Sequence, residues 1–261
     1  MKRLLMAGTA LLLASSALLA SASLGPSGYL APGAFDILAV LPPAPRMDDA
    51  RGTADRAIFR ATRALAGTPR WDLATSDVKL SPVDMMRDYS CAIGVNRTPE
   101  NAPRTAALVR RAAFDTSRGS GIAKDFYKRE RPFRYDEGPT CQPREELASS
   151  YDYPSGHTTL GWTWAMLLTA LAPDRAAPIL ARGRAFGESR IVCGVHNLSA
   201  VEAGRLSATA TLAAIEQTPD FQADLAAARG EIAALRADPA TPKPDAGQCR
   251  QEAQLVAQKI F

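Results

Sequence analysis

Histidine is scarce in this sequence, and long apolar runs are absent beyond its first two dozen residues. The 261 residues include two histidines, His157 and His196. No later segment reaches the ~18 uninterrupted apolar residues of a membrane helix, so we predict no membrane span. The four cysteines form no C-x-x-C pair, which disfavours a zinc site. Basic residues form no long block, so we expect no nucleic-acid partner.

The start of the chain is typical of a secretory signal peptide. Residues 1–3 are basic, residues 4–19 are apolar, and residues 20–22 form an A-x-A cleavage site. We therefore expect residues 1–22 to be removed and the protein to be exported to the periplasm. Residues 23–261 would then form a single domain.

An exported chain with an even number of cysteines favours disulfides. Cys91, Cys141, Cys193 and Cys249 allow three pairings. We favour Cys91–Cys141 and Cys193–Cys249, because each bond then closes a loop of about 50 residues and contributes ~3–4 kcal/mol.

Apolar residues recur at helical rather than strand spacing, and alanine is abundant. Residues 23–50 are rich in proline and glycine and are expected to be irregular. The fold class that we predict is all-α, a single helical bundle-like domain. Breaks are expected at 68–71 and in a long loop over 134–153. The predicted helices are 49–65, 80–93, 99–118, 157–172, 175–190, 199–217, 220–237 and near 250–260.

A pair of basic residues forms the first candidate motif, Lys124 followed after six residues by Arg131 and Pro132. Two helical turns separate the two cations, so both could lie on one side of a helix and face one anion. By itself, such a pair is more often a solvated basic face.

The second motif is Pro154-Ser155-Gly156-His157, directly before a strongly apolar run. We predict that Ser155 caps a helix that begins here. A helix N-terminus offers free N–H groups and a positive dipole end to an anion such as phosphate. Alone, the motif is more often a plain helix cap with a nearby imidazole.

The third motif places Arg190, after Ser189, six residues before His196. In isolation it would be interpreted as a helix end followed by a structural histidine. However, both histidines of the chain lie in these motifs, which favours a joint catalytic role.

The three motifs, in this order, resemble the signature of the class A bacterial non-specific acid phosphatases. That family belongs to the superfamily of type 2 phosphatidic acid phosphatases and vanadium haloperoxidases. The likeness extends to flanking segments such as Thr158–Trp162 and Val201–Arg205, and thus covers most of the chain after residue 22.

The resemblance implies hydrolysis of small phosphate monoesters without a metal or other cofactor, and assembly into a homo-oligomer. It assigns His196 as the nucleophile that forms a phosphohistidine and His157 as the acid and base. The residues that it assigns to holding the phosphoryl oxygens are Lys124, Arg131, Ser155, Gly156 and Arg190.

One family position is missing. The pattern has an aspartate four residues after the nucleophile, where this chain has Ala200. That carboxylate would fix the ring tautomer, so we expect reduced activity and a less basic His196. Glu202 is a weak substitute, because it is turned about 200° from position 200 on a helix. A backbone carbonyl or water is an equal alternative.

Other functions remain open at this stage. A vanadate-dependent haloperoxidase would use the same anion site, although the short chain disfavours it. An integral lipid phosphatase is disfavoured by the missing membrane spans. Ala200 also keeps open an impaired or non-enzymatic phosphate-binding protein.

Overall fold

A computed structural model describes residues 27–261; the predicted signal peptide, residues 1–22, lies outside them. Within the described part the regular structure consists of helices and short 3-10 turns, without strands, so the all-α prediction is confirmed. The α-helices are α1 (Ala50–Thr62), α2 (Pro69–Ser76), α3 (Pro82–Asp88), α4 (Ser90–Ile93), α5 (Pro103–Tyr127), α6 (Gly156–Leu171), α7 (Ala176–Val192), α8 (Leu198–Ile215), α9 (Pro219–Ala237) and α10 (Ala246–Ala257).

Helix α6 lies at the centre and packs against α5, α7 and α8. It carries no charged side chain, which is typical of a helix covered on all sides. Its contact with α7 is close because of glycines: a Cβ on Gly161 would lie 2.3 Å from the ring of Phe186. Leu168 is fully buried in this core, and its truncation to alanine would cost ~2–5 kcal/mol.

Local capping signals set several helix starts. Ser81 caps α3 with Pro82 at its first position, and Ser155 caps α6 by accepting from the Thr158 N–H. The first helix ends before Thr68, as the predicted break at 68–71 requires, but the helix that begins there was not predicted. Thr68 caps α2 and Pro69 occupies its first turn, so the same residues that end one helix begin the next.

Helix α5 is longer than predicted, and it ends in a way that changes the first motif. It continues to Tyr127 and stops at Lys128, which has a left-handed backbone (φ 47°). Lys124 therefore lies on the helix, whereas Arg131 lies beyond it in extended backbone. The two cations are brought together by this turn, and the expectation that they share one helix face is wrong.

The favoured disulfide pairing is also wrong. The structure has Cys91–Cys249 and Cys141–Cys193, with sequence separations of 158 and 52. Helix α4 packs against α10, which places Cys91 beside Cys249. The Cys141 N–H donates to the carbonyl of Cys193 at 3.1 Å. Tertiary packing, rather than equal loop length, therefore decides the pairing.

Among residues 27–261, no helix combines the length with the apolar character that crossing a bilayer requires.

Candidate active site

Helix ends and the turns beside them carry the predicted site residues. Lys124 lies in the last turn of α5, and Arg131 follows shortly after it. His157 lies in the first turn of α6, Arg190 in the last turn of α7, and His196 between α7 and α8. Besides burial, the charges of the three cations lower the pKa of both histidines. The three motifs thus meet in one site.

The ring of His196 is buried, with 1% of its surface exposed. Its Nε2 lies 3.0 Å from Nη1 of Arg131, which also donates to the carbonyl of Val195 at 2.8 Å. A guanidinium can only donate, so Nε2 is the acceptor in this contact. The proton of the neutral ring is therefore on Nδ1, and Nε2 keeps the lone pair that a nucleophile needs.

A carboxylate outside the three motifs lies against the other nitrogen of this ring. Oδ1 of Asp152 is 2.9 Å from Nδ1 of His196, and the Asp152 side chain is fully buried. The expectation of a His196 ring without a carboxylate is therefore wrong. The contact spans 44 residues of sequence. Its only sequence signal is an acidic residue two positions before Pro154, in a polar loop.

Both oxygens of Asp152 accept hydrogen bonds from further donors. The backbone N–H of Asn197 reaches Oδ1 at 3.2 Å, and its side-chain amide reaches Oδ2 at 2.8 Å. Nη1 of Arg129 lies 3.3 Å from Oδ2. The pKa of Asp152 is raised on balance, because burial outweighs the lowering by the charge of Arg129 and the hydrogen bond from Asn197. The surroundings are those of an ionised carboxylate, because every partner is a donor.

Neither Ala200 nor Glu202 supplies a carboxylate to the ring of His196. Ala200 is buried, and its carbonyl accepts from the Ser155 N–H at 2.9 Å. Glu202 is half exposed and lies 3.5 Å from Arg51 at the surface. Glu202 therefore does not replace the aspartate.

The second histidine has a fixed tautomer as well. Nε2 of His157 lies 3.1 Å from the carbonyl oxygen of Val78. A carbonyl can only accept, so Nε2 carries a proton. The atom that remains for proton exchange is Nδ1.

All three cations are held by neutral groups, Arg131 by Val195 and Ser150. Nζ of Lys124 donates to the carbonyl of Tyr151, and Nη2 of Arg190 donates to Oε1 of Gln142 at 2.6 Å. Burial and the charge of Arg131 lower the pKa of Lys124 to about 7, and that of Arg190 to about 9. Nε and Nη1 of Arg190 are buried without a hydrogen-bond partner. Unpaired buried donors are costly, and an anion would satisfy them.

Ser155 and Gly156 form the start of α6 beside these cations. The Ser155 hydroxyl oxygen accepts from both the N–H and the hydroxyl of Thr158, which leaves its own proton available to a ligand. A Cβ on Gly156 would lie 3.8 Å from Cε of Lys124, so this backbone borders the site. The first N–H groups of α6 have no partner within the helix.

The cleft that borders the site is smaller than two other clefts of the surface. A cleft of about 290 Å³ is bordered by Arg131, Ser150 and Tyr151. Clefts of about 510 and 600 Å³ lie around Cys91 and Arg182 instead and contain none of the motif residues. Among residues 27–261, no three His, Cys, Asp or Glu side chains are grouped closely enough to hold a metal ion.

Similarity to known proteins identifies the family of this chain. The model of the PAP2 superfamily matches residues 106–222, a span that includes all three motifs. An acid phosphatase of Zymomonas mobilis is 41% identical, with 79% of each chain covered. Non-specific acid phosphatases of Providencia stuartii and Salmonella typhimurium are each 34% identical, covering 78% and 74% of this chain and 83% and 78% of their own. The chain belongs to the non-specific acid phosphatases of the PAP2 superfamily.

Proposed function

We propose that the protein is an exported phosphomonoesterase that hydrolyses small organic phosphates through a phosphohistidine on His196. The observation that carries the proposal is the Nε2 lone pair of His196, which is buried among Lys124, Arg131 and Arg190. A nucleophile surrounded by three cations suits attack on a dianionic phosphoryl group.

The substrate phosphate would be held by charge and by fixed donors. Lys124, Arg131 and Arg190 would neutralise the equatorial oxygens, with Arg190 using its two unpaired N–H groups. The hydroxyl of Ser155 and the N–H of Gly156 would add two neutral donors at the N-terminus of α6. Side chains and backbone thus supply the charge stabilisation that the transition state requires.

In the first step, Nε2 of His196 would form a bond to phosphorus as the bond to the ester oxygen breaks. Arg131 donates a hydrogen bond to Nε2 in the free site, so this hydrogen bond would be redirected to a phosphoryl oxygen when substrate binds, and the Nε2 lone pair would be released. Nδ1 of His157 would give its proton to the departing alkoxide.

In the second step, the neutral His157 would take a proton from water through the same Nδ1. The hydroxide oxygen would bond to phosphorus, and the P–Nε2 bond would break to release inorganic phosphate. The enzyme then returns to its starting state, with the proton restored to Nδ1 of His157. An alcohol in place of water would give phosphate transfer.

The pKa shifts suit work in mildly acidic solution. Burial and then the charge of Arg131 lower the pKa of His196 well below its ordinary value, so its lone pair stays free as the pH falls. The cause differs from the one expected from the sequence, where a missing carboxylate was to make the ring less basic. Burial lowers the pKa of His157 too, and the negative charge of bound substrate would oppose that shift.

The expectation of reduced activity depended on a ring without a carboxylate partner. Because Asp152 contacts Nδ1 of His196, we propose turnover of the ordinary size for such an enzyme rather than an impaired one. We further propose that residues 1–22 direct export and that residues 23–261 work as one domain in an oxidising compartment. The two disulfides suit that location.

The proposal is tested by trapping the covalent intermediate. The protein is mixed with ³²P-labelled phenyl phosphate, quenched in alkali after milliseconds, and digested to locate the label. We expect label on His196 and none in the His196→Ala variant, which should also lose hydrolysis of p-nitrophenyl phosphate. Phosphate binding by the wild type without label and without hydrolysis would contradict the proposal and favour a binding protein.

A further inference from the structure

We propose that Asp152 is the positioning residue for His196, and that this chain carries the required carboxylate before α6 instead of at position 200 on α8. The inference rests on the proposed function, because it names the group that prepares the proposed nucleophile. It makes Asp152 a part of the site that none of the three motifs contains.

The contacts of the His196 ring determine what Asp152 does. Arg131 donates to Nε2, so the ring proton must be on Nδ1, 2.9 Å from Oδ1 of Asp152. The carboxylate is the acceptor that makes this tautomer the favoured one. When the ring becomes a phosphohistidine it gains positive charge, and the negative charge of Asp152 offsets it.

Asp152 is itself held in place from several directions. Its backbone N–H donates to the carbonyl of Arg129 at 2.8 Å. The side chain of Arg129 returns to Asp152 and also binds Asp55 at 2.8 Å and Ser199 at 2.6 Å. Asn197 adds its two N–H donors. A carboxylate fixed in this way cannot swing away from the ring.

No other carboxylate of the described chain contacts this ring. Position 200 is an alanine with no exposed surface, packed in the same apolar cluster as Tyr153. Glu202 points to Arg51 at the surface. Residues 152 and 200 nevertheless lie in adjoining segments, because the Ser155 N–H binds the Ala200 carbonyl. A carboxylate lost from one segment can therefore be supplied by the other.

The informative substitution is Asp152→Asn, which keeps the shape and removes the charge. Each oxygen of Asp152 faces only donors, so the new NH₂ group opposes a donor in either orientation. We expect kcat to fall by ~10³–10⁴, as for a triad that has lost its tautomer, with KM changed by less than about threefold because the phosphate contacts remain.

Asp55→Asn is the matched control. Asp55 is also a buried carboxylate bound to Arg129, but its other partner is Ser199 and not the histidine. We expect a loss of stability and a fall in kcat of less than about tenfold, because only the contact with the ring sets the tautomer. If Asp55→Asn lowers kcat as much as Asp152→Asn, network collapse explains both and the proposal is overturned.

The ring itself provides a measurement that needs no turnover. With two histidines in the sequence, ¹⁵N spectra of histidine-labelled protein should resolve the His196 ring. We expect the proton on Nδ1 in the wild type and a shift towards the Nε2–H form in Asp152→Asn. A wild-type ring protonated on Nε2 overturns the proposal even if Asp152→Asn fails to fold. A wild type that hydrolyses no phosphate monoester but has the Nδ1–H ring supports the role of Asp152 and contradicts only the proposed function.

Discussion

The Nε2 atom of His157 lies 3.1 Å from the carbonyl oxygen of Val78, so the proton that this histidine exchanges belongs to Nδ1. Val78 follows α2, a helix outside the three motifs. Its carbonyl thus orients the proposed acid in the same way that Asp152 orients the proposed nucleophile, because each group binds the ring nitrogen that takes no part in the proposed chemistry.

His157→Asn should affect substrates according to their leaving groups. An alkyl phosphate needs a proton on its departing oxygen, so its kcat/KM should fall by ~10²–10⁴. p-Nitrophenolate is a good leaving group that needs little protonation, so kcat/KM for p-nitrophenyl phosphate should fall less in the first step. A series of aryl and alkyl phosphates measures the dependence on leaving-group pKa. An equal loss across the series would mean that His157 does not protonate the leaving group.

Ala200→Asp should not raise turnover in the wild-type background. Asp152 already accepts from Nδ1 of His196, and position 200 is buried among apolar groups such as Tyr153. An added carboxylate there is desolvated and unpaired, so the melting temperature should fall. Ala200→Ser controls for side-chain volume. Turnover several times higher in Ala200→Asp would show that Asp152 does not position the ring of His196 adequately.

Anion affinity should weaken as Lys124 loses its proton. Its pKa of about 7 lies far below the ordinary lysine value, so the ammonium charge disappears as the pH rises through 7. Inorganic sulfate is the suitable probe, because its own charge is constant from pH 6 to 8.5. We expect the inhibition constant of sulfate to rise over this range. In Lys124→Met it should be higher at pH 6 and almost flat; a rise that persists unchanged would assign the titration to another group.

Arg190→Lys should weaken phosphate binding although the charge is kept. The three N–H groups of a lysine share one nitrogen, so a lysine that contacts Gln142 cannot also reproduce the planar fork that Nε and Nη1 of Arg190 present. Loss of a hydrogen bond to a charged group costs ~1.5–3 kcal/mol, which corresponds to roughly a 10- to 100-fold rise in the inhibition constant of phosphate. Gln142→Ala, which removes only the support, should have a smaller effect. Equal affinity for Arg190→Lys and wild type would place the bound phosphate away from this side chain.

Removal of each disulfide should affect stability and activity differently. Their separations of 158 and 52 residues predict losses of about 5 and 4 kcal/mol in the free energy of unfolding for Cys91→Ser/Cys249→Ser and Cys141→Ser/Cys193→Ser. Only the second pair should lower kcat, because Cys193 lies three residues before His196. Urea unfolding and p-nitrophenyl phosphate hydrolysis measure the two effects. A similar fall in kcat for both pairs would contradict this division.

Local signals explain why much of the fold was predictable. The helix cap at Ser155 and the proline after Ser81 act within one turn, so the sequence around them is sufficient. The central helix was predictable because its residues are apolar on every side. Even the miss at Thr68 was a local one, since a cap that starts a helix uses the same residue types as a loop.

Contacts between residues far apart in the sequence could not be predicted from such local signals. Asp152 and His196 are 44 residues apart, and nothing in the spacing relates them. Cys91 meets Cys249 only because α4 packs on α10. The turn at Lys128 likewise depends on where α5 meets the next segment. Each of these relations is produced by packing, which a single sequence does not display.

The bond between Cys141 and Cys193 has a consequence for how the site binds its anion. Gln142 directly follows one of these cysteines, and Arg190, which it holds at 2.6 Å, precedes the other by three residues. Covalent closure and the hydrogen bond thus fix a long, rotamer-rich side chain when the protein folds. Ordering such a side chain at the moment of association would otherwise cost ~0.5–1.5 kcal/mol. The arginine is in this sense pre-organised, so its attraction for the proposed phosphoryl group would be available to the transition state without this cost in conformational entropy.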